Sequence, residues 1–90
     1  MNPTDMPGSD LTQAGLRDLD RGLETIPALL VSIGAPRLRR LGHVIPAALS
    51  DPELRLYALL AREGAASAHS RYNALIRRLV SFERAAECVS

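Results

Sequence analysis

From Leu54 to Ala86 the apolar residues return at alternating steps of four and three: Leu54, Ala58, Ala61, Ala65, Ala68, Tyr72, Leu75, Leu79, Phe82 and Ala86. An α-helix gathers such a set on one side, whereas a strand would scatter it over both faces. Just before it, Ser50-Asp51-Pro52-Glu53 supplies a capping residue, a proline suited to the first turn, and a carboxylate at the positive end of the helix dipole. The spacing predicts one long helix over 51–87, on the order of 50 Å at 1.5 Å per residue. Gly64 alone argues against continuity, since glycine costs about 1 kcal/mol relative to alanine in a helix interior. The seam is bulky at its ends (Leu54; Leu75, Leu79, Phe82) and small in its middle (Ala61, Gly64, Ala65, Ala68), and small residues admit another backbone at close range. Leu56, Leu59 and Leu60, with Ile76 and Val80, form a second apolar edge. A helix so long offers more apolar face than one shorter helix covers, so the ten seam residues are the candidate protein interface. A closed bundle, in which the rest of the chain covers them, stands as the alternative.

The rest of the chain is more punctuated. Residues 1–9 hold Asn2, Pro3, Thr4, Pro7, Gly8 and Ser9 and read as a disordered tail. Order is expected from Asp10, placed to cap a helix with Gln13 three residues on. Leu16, Leu19, Leu23, Ile26, Leu30 and Ile33 continue on one helical stripe, giving a helix or kinked helix pair over 10–33. Pro27 lacks the N–H that the Leu23 carbonyl needs, which predicts a kink or break near Thr25 and a short helix ending at Gly34. Pro36, Gly42 and Pro46 then leave a connector over 34–50 with room for short turns such as Arg37–Leu41 and Ala47–Leu49. Its apolar residues Leu38, Leu41, Val44, Ile45 and Leu49 are expected to anchor it against its neighbours.

The whole therefore reads as an all-α chain: a tail, then a single small helical domain over 10–90 made of a kinked amphipathic helix, a proline-punctuated connector and a long C-terminal amphipathic helix. Composition agrees. With no Trp, one Phe and two Tyr, the core must come from Leu, Ala, Ile and Val, and Leu and Ala favour helices. At 90 residues the chain is too short for a doubly wound nucleotide-binding enzyme or a β/α barrel. A core of this size buries only roughly 60–65% of the surface exposed by the unfolded chain, so association is an expected further source of stability.

Few residues invite chemistry. His43 and His69 have no second ligand at metal-binding spacing, and an isolated histidine is far more often structural. Ser67-Ala68-His69-Ser70 sets hydroxyls beside an imidazole in sequence, but residues one or two apart do not face each other on a helix. Gly34, Gly42 and Gly64 are isolated, not a phosphate-binding loop, and read as helix punctuation. Cys88 is the only cysteine, which excludes an internal disulfide and reads as a small residue near a frayed end. No catalytic residue, metal ligand or cofactor is assigned. The basic residues are all Arg, eleven against ten acidic, for a net charge of +1. Arg37, Arg39 and Arg40, with Arg77 and Arg78, are too few and too well offset by Glu83 and Glu87 to predict a nucleic-acid partner. The acidic first stretch (Asp5, Asp10, Asp18, Asp20, Glu24) and the basic middle suit head-to-tail contacts. No run approaches the roughly 18 apolar residues of a membrane span, and Met1–Asp10 lacks a signal-peptide pattern. The expectation is synthesis and residence in the cytoplasm unless a signal-independent exporter acts, with no membrane insertion and no small-molecule substrate.

Asp51-Pro52-Glu53-Leu54 and the helix after it resemble the C-terminal region of the inner-rod and needle proteins of bacterial type III secretion systems. The matching positions are Asp51 and Pro52 at the helix start, Leu54 on the seam, and Asn73, Leu75, Arg77, Arg78, Val80 and Glu83 near the end. The resemblance implies a non-enzymatic structural subunit that polymerises through its terminal helix, with itself or other secretion-apparatus proteins as partners, exported without a cleaved signal. Lack of the needle proteins' Pro-x-x-Pro turn leans toward the rod. The alternative reading is a small cytoplasmic binding module, a secretion chaperone or antiactivator, that sequesters a partner helix on the same stripe.

Overall fold

Thr25 is where the N-terminal half divides. Its hydroxyl accepts the Ala28 N–H at 3.2 Å and donates to the Asp18 carboxylate at 2.6 Å, so one side chain caps a helix and ties it to the one before. In the computed structural model, which describes residues 6–89, four helices follow one another: α1 (Ser9–Asp20), α2 (Ile26–Arg40), α3 (Pro52–Gly64) and α4 (Ala68–Val89). No strand occurs among the described residues, so the chain is all-α and ends in a long helix, α4.

α2 is the centre of the molecule. Ala28, Leu29, Leu30, Val31 and Ser32 are buried in succession, which places them all round the helix instead of on one stripe. The expected short helix does not end at Gly34: it runs on through Gly34 and Pro36 to Arg40. A Cβ on Gly34 would lie 3.0 Å from both Leu79 and the Glu83 carboxylate, so this glycine is where α4 comes close, not a stop. Gly15 acts likewise for α1, since a Cβ there would meet the Pro27 carbonyl oxygen at 2.3 Å.

The start of the chain differs from expectation within the residues described. Residues 1–5 of the expected tail lie outside them, but Met6 is only 8% exposed and Gly8 and Ser9 are buried. Gly8, at φ 75°, sits so close to the Arg78 carbonyl that a Cβ would stand 2.6 Å from it. Helix α1 starts at Ser9, and Asp10 does not cap it: its carboxylate accepts from Arg78 at 2.8 and 3.1 Å, tying α1 to α4. That bond, before all else, holds the Asp10 carboxyl below its usual value.

The connector is shorter than expected, and its 47–49 stretch is not helical. It is pinned by side chains: Arg39 donates two hydrogen bonds to the Ile45 carbonyl (2.9 and 2.7 Å), and the Leu49 N–H donates to the Ser32 hydroxyl at 3.0 Å. Of its expected anchors, Leu38 and Ile45 are buried, Leu41 and Leu49 half-buried, and Val44 is 83% exposed.

The principal correction concerns the single helix expected over 51–87. The α-helix ends at Gly64 and a tighter turn follows, the Ser67 N–H and hydroxyl both donating to the Gly64 carbonyl, before helix resumes at Ala68. α4 then folds back along α3, so that the Tyr57 and Tyr72 rings lie 5.8 Å apart at 57° and Arg71 pairs with Glu63 at 2.9 Å. Fifteen residues of straight helix would hold those two tyrosines about 22 Å apart at their backbones. Asp51 does occupy the cap position, at φ 47°, although its side chain makes no capping hydrogen bond.

Candidate protein-binding surfaces

Folding back divides the seam in two. Ala68, Leu79 and Phe82 are buried inside the molecule's own core, and Tyr72, Leu75 and Ala86 are partly covered beside them. On α3, by contrast, the side chains that enter the core are Leu56 and Leu60, from the second apolar edge. Leu54, Ala58 and Ala65 are therefore turned outward, with Ala61 half-covered, and Leu54 is 74% exposed. Tyr57 borders this strip and is itself open to solvent. The ten-residue interface expected along one rod is thus an exposed strip on α3 and a set of core residues on α4.

A second apolar surface had no periodic signature. An open groove of about 560 Å³ runs between α1 and the connector, lined by Leu16, Leu19, Val44, Ile45, Pro46 and Ala47. Its polar contributors are Arg17 and Asp20. Val44 and Leu54 are the two large apolar residues most exposed to solvent among those described, one on each surface. The groove arises because the connector is held extended by Arg39 and Ser32 while Ile45 turns inward, leaving Val44 on the outside.

Several of the residues weighed for chemistry are engaged in the fold. The His43 ring packs on Phe82 at 5.7 Å, and the His69 Nε2 lies 3.2 Å from the Asn73 amide. Among the described residues no cluster of three or more His, Cys, Asp or Glu is placed to hold a metal, and Cys88 is exposed and free. Arg37 is shared between Glu87, at 2.7 Å, and Glu83, at 3.5 Å, and Arg39 serves the connector. Glu83 is nearly buried, and burial raises its pKa against the opposing pull of Arg37. Among the described residues no helix is long and apolar enough to cross a membrane. No family model, curated protein or solved structure matches the chain.

Proposed function

We propose that this chain is a non-enzymatic structural subunit of a bacterial protein-secretion apparatus that works by associating with copies of itself. The observation that carries the reading is the outward face of α3, where Leu54 and Ala58 stay in water at helical spacing, continued by Ala65 just past the helix end, while Leu56 and Leu60 on the other face are buried. Apolar side chains aligned on one helix face are what a protein contact needs. The resemblance at Asp51, Pro52 and Leu54 supplies the secretion context. The mode of assembly differs from packing along one terminal rod, because α4 already spends its seam on its own core.

Sedimentation from micromolar to millimolar concentration tests this. The expected result is an average mass that keeps rising with concentration. A monomer or closed dimer throughout overturns it and favours the second reading, a binding module for a partner helix. What supports that second reading is the burial of Ala68, Leu79 and Phe82, which makes each chain complete by itself.

A further inference from the structure

The turns that part the helices are built differently. α1 gives way to a turn holding Gly22 at φ 71°, α2 to one holding Gly42 at φ 101°, and α3 starts from Asp51 at φ 47°. Left-handed backbone of this kind stops a helix. Residues 64–67 hold none, and Ala65 keeps right-handed helical geometry at φ −58° and ψ −36°. Ala65, Ala66 and Ser67 include no proline, so nothing in them forbids a helix. The bend is held by α4 seated on the core and by Ser67 donating twice to the Gly64 carbonyl. We propose that this turn is a hinge through which two copies of the chain exchange α4, each seating it on the α1–α3 core of the other. The exchange goes beyond the self-association proposed above, since it uses none of the outward face of α3.

The partner follows from contacts within one chain. α4 packs on α1, α2 and α3, with Arg78 against Asp10, Arg71 against Glu63, and Leu79 and Glu83 at Gly34. The α4 of a second copy carries the same side chains, so each contact re-forms between chains with nothing new exposed. The balance then rests on the hinge. Straightening it gives the last carbonyls of α3 and the first N–H groups of α4 intrahelical partners, against the cost of bringing two chains together. The joined rod over 52–89 would be about 57 Å long at 1.5 Å per residue, well beyond the 38 Å of one molecule, so an opened α4 leaves its own core. α4 lies back along α3 in the closed chain. When one rod sets its α4 along the α3 of a second, the second rod's α4 is carried back over the first core, and the exchange is mutual. Where the rods pass at the hinges, Ala61, Gly64, Ala65 and Ala68 leave room for close approach.

The test uses the full chain with Cys88→Ser, Asp10→Cys and Arg78→Cys, which puts one thiol on α1 and one on α4 in place of an exposed ion pair. Chains refolded from urea at micromolar and at millimolar concentration are treated with a short thiol-to-thiol linker and run on a denaturing gel. Exchange predicts linkage within single chains at the low concentration and covalent dimers at the high one. In Gly64→Ala the added Cβ stands 3.2 Å from the Ser67 hydroxyl, which crowds the turn while alanine favours the helix. With two hinges per dimer, this variant is expected to raise the dimerisation constant by about thirtyfold. A flexible Gly-Ser insert after Ala66 breaks the rod and is expected to suppress the covalent dimer while helicity stays native. Linkage confined to single chains at both concentrations overturns the exchange; if those chains still grow in sedimentation, self-association stands on another surface. Dimers that survive the insert undiminished also overturn it, because contact without a rod is then enough. Covalent dimers with no larger species support the exchange and remove open-ended growth instead.

Discussion

Glu83 is 4% exposed, and its carboxylate faces Gly34 and Leu79 on one side and Arg37 on the other. Burial dominates and raises its pKa above the usual 4.5, with Glu87 adding in the same direction while Arg37 and Arg40 oppose. A carboxyl whose folded value lies above its unfolded one binds its proton more tightly in the native state. Its contribution is therefore present in full at low pH and is lost as pH rises from 4.5 through the folded value. Glu83→Gln is expected to remove that loss: urea midpoints of the unaltered chain should fall relative to the variant's as pH rises above about 4.5, and parallel curves contradict it. Gly15 is limited by space: an added methyl meets the Pro27 oxygen at 2.3 Å and Val31 at 2.4 Å. Gly22 has open space around it and only a left-handed φ of 71° to maintain. Gly15→Ala should cost about 1–3 kcal/mol by forcing α1 off α2, while Gly22→Ala should cost about 1 kcal/mol. Denaturant titration of both variants checks the order.

At the scale of elements, α3 is anchored more thinly than α2: it buries Leu56 and Leu60, against eight buried residues in α2. Leu60→Ala is expected to destabilise the chain by about 2–5 kcal/mol. Hydrogen exchange should find the α3 amides faster than those of α2 in the unaltered chain, and equal protection in the two helices would refute the ranking. The all-α class, the proline-led start of α3 and the break near Thr25 could be read from the residues, because caps and prolines act locally. The break after Gly64 could not. The apolar stepping passes from Leu54 to Ala86 without a slip across the turn at 65–67, and periodicity in the sequence does not separate one helix from two. The passage of α2 through Gly34 was hidden for another reason: the need for glycine there comes from Leu79 and Glu83, far along the chain. The groove was hidden because the exposure of Val44 depends on Arg39 holding the carbonyl next door.

The whole molecule measures 38 × 25 × 18 Å and carries a formal charge of +1, so copies of it repel one another weakly. A contact made mainly of apolar surface should respond mildly to salt. Exposed pairs are worth about 0.2–1 kcal/mol each, so raising salt from 50 to 500 mM is expected to weaken association by no more than about tenfold. A far steeper loss, measured by sedimentation at both salts, would mean that charge and not burial drives assembly. α2 is covered over its first half, with α1, α3 and α4 all leaning on it. A cut at Gly22 would part α1 from α2, and a cut at Gly42 would part α2 from both α3 and α4. A fold built round one central helix is made or lost as one, so under the proposed reading an apparatus that threads it through a narrow passage would have a single cooperative knot to untie.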